Sequence, residues 1–152
     1  MILIPQSVLS EWHGASLETP MVGDDYQRAC AISNYLGEIR VGGGTGLVLG
    51  DTPDRTTVIE SELGPALLRW GSADSEEAML EAVRGSLDRA EVVEELEHHV
   101  GEPAHLLIDS AWSGSDYADS LELILAMGTH RVVTRRHTGP GVEYLAHVFQ
   151  MC

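Results

Sequence analysis

The chain has 152 residues, 43% hydrophobic and 22% charged, and its 24 carboxylates face nine arginines and no lysine for a net charge of −15. That length suits a single compact domain, residues 1–152, able to bury about two-thirds of its unfolded surface, and the composition excludes a disordered or collagen-like chain. A field of this sign repels nucleic-acid phosphates and anionic membranes, excluding both as partners, and attracts basic proteins.

Ile2-Leu3-Ile4-Pro5 predicts a short strand stopped by proline, with one helical turn over residues 7–12 after it. Residues 18–25, with Pro20, Gly23 and two adjacent aspartates, predict a loop leading into residues 26–32. Residues 35–41 and 47–49 are β-prone runs joined by Gly42-Gly43-Gly44-Thr45-Gly46, a connection suited to a tight hairpin. After the turn-like residues 50–54, strands are expected at residues 56–60 and 66–70. Residues 75–86 predict a helix, because serine and aspartate caps and first-turn carboxylates precede apolar positions at Ala78, Met79, Leu80, Ala82 and Val83.

Residues 91–100 fit two periods: Val92, Leu96 and Val100 recur every fourth residue, and with His98 they also share one parity. The turn Gly101-Glu102-Pro103 and the apolar run at 105–109 favour strand. Strands at 121–125, 131–136 and 142–149 complete the series, with turns at Gly128 and at Gly139-Pro140-Gly141. The expected class is α+β, a mostly antiparallel sheet with one or two helices, and a weak subdomain midpoint falls near residues 86–89. No apolar run approaches the ~20 residues that span a bilayer, no export signal is visible, and two cysteines make no disulfide framework. The cytoplasm is the expected compartment. Cys30, in the run Ala29-Cys30-Ala31-Ile32, reads as a small buried hydrophobe.

Motifs for chemistry are sparse. The glycine-rich run at 42–46 leads into a strand, lacks the Lys-Ser or Lys-Thr pair of a phosphate-binding loop, and sits among acids. Seven histidines invite a metal, yet adjacent His98 and His99 point to opposite faces of a strand, and no His-Glu-x-x-His or Cys-x-x-Cys spacing exists. Residues 109–116 carry oxygen ligands without the spacing of a calcium loop and read as a capped polar turn. No nucleophile elbow appears, and no carboxylate pair is singled out by spacing. The reading is therefore a protein that is not an enzyme and needs no cofactor or metal.

Charge is the informative feature. Between Asp51 and Glu102 lie fourteen carboxylates and four arginines, whereas residues 1–50 carry five acids and two arginines and residues 103–152 carry five and three. Candidate partner-binding residues are Asp51, Asp54, Glu60, Glu62, Asp74, Glu76, Glu77, Glu91, Glu94, Glu95 and Glu97, with Trp70 as an aromatic anchor of the kind that dominates interfaces. Trp112 and its polar turn offer a second class of function, a small-ligand or sugar-binding β module, and a hydrolase with paired carboxylates is a third.

Several stretches in order resemble immunity-protein family 21 of bacterial polymorphic toxin systems. They are Ile2-Leu3-Ile4-Pro5 with Trp12, Asp25-Tyr26-Gln27-Arg28-Ala29-Cys30, Tyr35-Leu36-Gly37, Val41-Gly42 and Leu47-Val48-Leu49-Gly50-Asp51. Leu68-Arg69-Trp70, Ala73-Asp74-Ser75 and the tail from Leu121 through Arg131-Val132 to His147 continue the likeness over nearly the whole chain. The family pattern also places a short Trp- or Gly-containing segment ahead of the position of Met1. The resemblance implies a cytoplasmic antitoxin that protects its producer by binding a cognate toxin domain, with no catalytic residues. Burying ~800 Å² on each partner is the expectation for such a complex, and a basic toxin is the natural target of an acidic surface.

Overall fold

The computed structural model describes residues 1–15, 24–50 and 55–152. Most of the loop expected at 18–25 and of the turn at 50–54 lies outside them, as do Asp51 and Asp54. In chain order the elements are β1 (Ile2–Pro5), α1 (Asp25–Cys30), β2 (Leu36–Val41), β3 (Gly44–Leu49), β4 (Thr56–Ser61), β5 (Gly64–Ser72) and α2 (Glu76–Ser86). Then come β6 (Glu91–Val100), β7 (Ala104–Ile108), β8 (Ser120–Ile124), β9 (Gly128–Gly139) and β10 (Val142–Met151), and a short 3-10 helix, Gln6–Glu11, follows β1. The protein is α+β and mostly antiparallel sheet, as the alternating runs and glycine turns predict. Among the described residues no helix is long and apolar enough to cross a membrane.

The chain forms two compact units, one from Met1–Pro53 with His98–Gly128 and the other from Asp54–Glu97 with Thr129–Cys152. Residues 86–89 lie inside the second unit, and its boundaries fall within β6 and at the start of β9. Each unit holds a five-stranded sheet.

In the first unit the strand order is β2-β3-β1-β7-β8. The central strand β1 is buried at all four positions, which is why its sequence is a continuous apolar run with no alternation. It pairs antiparallel with β3 (Leu3 opposite Leu47) and with β7 (Leu3 opposite Leu107). Ile2, Ile4, Ile39, Val48 and Ile108 form a core with Trp12, whose indole Nε1 donates to the Ser110 carbonyl at 3.2 Å. Gly114 must be glycine, since a Cβ there would stand 1.6 Å from the Leu9 carbonyl oxygen. The β2–β3 hairpin turns over Gly42 and Gly43 alone, tighter than the five-residue connection read from the sequence, with Gly42 at φ 53. Helix α1 starts at Asp24, whose side chain accepts from the Gln27 amide at 2.6 Å.

Cys30 corrects one expectation. It is exposed, because in the single-turn helix α1 the inward position falls to Ala29 and the next residue turns outward.

In the second unit the order is β4-β5-β10-β9-β6. Helix α2 lies on one face, where Met79, Val83 and Leu87 meet Ala66, Leu68, Tyr144, Ala146 and Val148. Ser75 caps α2 by accepting from the Ala78 amide at 3.1 Å, so the capping signal in the sequence marks the true helix start. At the other end the Ser86 hydroxyl donates its one proton to the Ala82 carbonyl at 2.7 Å, which leaves its oxygen to accept from the Tyr144 phenol at 2.8 Å. Residues 91–100 are a strand, as the adjoining turn argued. The hairpin β9–β10 turns on Pro140 and Gly141, the latter at φ 76.

Candidate functional site

Every candidate residue from Glu60 to Glu97 belongs to the second unit, but the fold divides them. Glu60 lies on β4 and Glu62 in the turn after it, at one edge of the sheet. Glu91, Glu94, Glu95 and Glu97 lie on β6, at the opposite edge. Four strand spacings of about 4.8 Å separate those edges, roughly 19 Å. Asp74, Glu76 and Glu77 form a third group around the N-terminus of α2, where their charge favours the helix dipole.

On β6 the strand period sorts the acids. Glu91, Glu95 and Glu97 share the outward parity with His99, and Glu94 is half-buried on the parity of Leu96 and the buried His98. Arg131 on β9 grips Glu95 through both carboxylate oxygens, at 2.9 and 2.5 Å, and this hydrogen bonding raises the guanidinium pKa. Arg136 reaches Glu91 at 2.8 Å. Near α2, Arg55 pairs with Glu76 at 2.8 Å. Such exposed pairs add little to stability, because solvent screens them, and their main effect is to reduce the surface charge.

Trp70 is half-buried. One side packs into the cluster under α2, and the Arg55 guanidinium carbon sits 4.3 Å from the centre of its ring. Glu60, Glu62, Asp74, Glu77 and Glu97 are exposed, and none makes an ion pair among the described residues. Three further exposed acids of the second unit are not marked by the sequence, and one of them, Asp88, pairs with Arg89 just after α2. Glu81 is on α2, and Glu143 is on β10 opposite Ser72, near Asp74. Strand pairing alone brings Glu143 there, and no local sequence pattern signals it.

The two units hold their acids differently. Among the described residues, the first has nine carboxylates against two arginines, and the second twelve against seven. In the first, four of the nine carboxylates accept from backbone amides, Asp24 from Gln27, Asp25 from His13, Glu102 from Ser7 and Asp109 from Ala111, and Asp25 also pairs with Arg28 at 2.8 Å. The Ser7 hydrogen bonds hold the Glu102 carboxyl below its ordinary pKa. Glu38 meets the buried His98 at 2.7 Å. In the second unit Glu76, Glu91, Glu95 and Asp88 are held by arginine side chains.

Other sites are bare. Among the described residues no three His, Cys, Asp or Glu side chains come together to hold a metal ion. Trp112 is 46% exposed on a turn whose Asp109 side chain accepts from Ala111. A groove of about 640 Å³ lies in the second unit, between β4 and α2.

These features define a β-rich acidic protein whose open carboxylates stand on sheet edges and a helix start. The family model described as Immunity protein 21 matches residues 1–141, and the chain belongs to that family. No curated protein and no solved structure matches it. Immunity proteins of this kind act by binding a toxin protein and are generally not enzymes.

Proposed function

We propose that this protein neutralises a cognate, basic toxin domain in the cytoplasm of the producing cell, by occluding it with the acidic surface of the second unit. The observation that supports this reading is the set of exposed carboxylates at Glu60, Glu62, Asp74, Glu77 and Glu97 in a member of an immunity-protein family. These groups need no rearrangement to meet lysines and arginines, and their summed field draws a cationic partner in before contact. Acids already held by arginine, at Glu76, Glu91 and Glu95, lend field but offer fewer acceptors to a newcomer. Trp70 adds apolar area if the partner displaces Arg55. Catalysis is not required: inhibition follows from shape and charge, with ~800 Å² covered on each side.

The test is the association rate with the purified toxin domain encoded beside this protein, measured across ionic strength. A fall of about tenfold or more from low to high salt is expected. A rate indifferent to salt rejects electrostatic capture, and turnover of a substrate by the folded protein alone rejects the assignment as a whole.

A further inference from the structure

We infer that the groove between β4 and α2 seats an extended segment of the toxin domain, one that carries an apolar side chain with a lysine or arginine beside it. This rests on the toxin-binding reading above and names where the partner's main anchor goes.

The floor is apolar, made of Ile59 and Leu63 from the β4–β5 hairpin, Leu80 and Val83 from α2, and Leu87, which caps it. Charge is confined to the rim. Glu60 and Glu62 are exposed along the β4 wall. On the helix wall Arg84 is exposed, and Arg89 is held by Asp88 at 3.7 Å and by the Gly85 carbonyl. A cation carried by the incoming segment therefore belongs on the β4 side. At about 640 Å³ the groove has the volume of a small-ligand site, but such sites converge several buried polar groups on the ligand, and here the charged groups stay in solvent. Shape and chemistry suit a peptide segment better.

Two further observations point the same way. β4 lies at the edge of its sheet, beside β5, so a partner strand can add to residues 57–61 by main-chain hydrogen bonds while alternate side chains enter the groove. Gly85 stands on the helix wall of the groove, inside α2, where glycine weakens a helix relative to alanine. A Cβ built there meets nothing within 4 Å, so nothing in the protein itself demands glycine. A bare backbone at that point lets a partner's main chain approach closely.

Gly85→Gln tests this, because a long polar side chain that suits a helix stands in the groove without touching the core. Its melting temperature should equal or exceed that of the unaltered protein, and its affinity for the toxin domain should fall by about tenfold. Glu60→Gln with Glu62→Gln should weaken binding and reduce its salt dependence. If Gly85→Gln melts early, Gly85→Ala gives the same readout with a loss of about threefold. Full affinity in a stably folded Gly85 variant, with salt-dependent binding retained, overturns the groove and leaves the proposed function standing. Failure of the unaltered protein to bind the toxin overturns both. A self-dimer in light scattering that Gly85→Gln separates would assign the groove to a second copy and overturn the inference.

Discussion

The first unit carries the larger excess of acid over arginine, and yet the second presents the more available carboxylates. In the first, Asp24, Asp25, Glu102 and Asp109 are spent on nearby backbone amides, fixing helix starts and turns. In the second, Arg69 is buried, six other arginines stand among twelve carboxylates, and the acids left over are open to solvent. Net charge per unit therefore ranks the two surfaces wrongly. What decides whether an acid can meet a partner is whether a local donor already holds it.

Reversing the open acids should produce the largest effect. Glu60→Lys with Glu62→Lys should slow association with the toxin by about tenfold at low salt, by steering alone, with stability changed by less than about 0.5 kcal/mol. Next, Asp24→Ala should cost about 1 kcal/mol in chemical denaturation through loss of the α1 cap, with the association rate unchanged. If that variant instead binds more slowly, the division between structural and available acids fails.

Titration should separate the units further. Burial raises the Tyr144 phenol above its ordinary value of 10.0, and the phenol donates to Ser86 only while protonated. The stability it contributes is therefore full below pH 10 and lost as pH rises through the elevated folded value. Tyr144→Phe should lose about 0.5–1 kcal/mol near neutrality and show a flatter alkaline limb in melts against pH. Glu102 responds in the opposite sense. Its carboxyl is lowered from 4.5 by the Ser7 hydrogen bonds, so its contribution is present above that value and lost as pH falls through the lower folded one. Glu102→Gln should cost only a few tenths of a kcal/mol at neutral pH, since solvent screens the site, and should flatten the acid limb.

Much of the local structure is legible in the sequence. Serine and aspartate before an apolar helical period announce α2, and Gly42-Gly43 and Pro140-Gly141 announce their hairpins. Periodicity left residues 91–100 undecided, and the neighbouring turn settled them. Strand order is another matter, because the pairing of β1 with β7 joins residues about a hundred positions apart and no local preference encodes it. The same limit governs the site. The dense acids of residues 51–102 read as one patch, but pairing sends β4 and β6 to opposite sheet edges and brings Arg131 and Arg136 from the tail to two of them. Trp70 is legible as a large aromatic beside acids, and its cover by Arg55 is not.

The interleaving of the chain also bears on how the protein is made. The sheet of the first unit needs β7 and β8 to be complete, and that of the second has as its middle strand β10, which follows all four of its companions in the chain. Neither can close while the early strands alone have left the ribosome, and pairings this distant fold slowly.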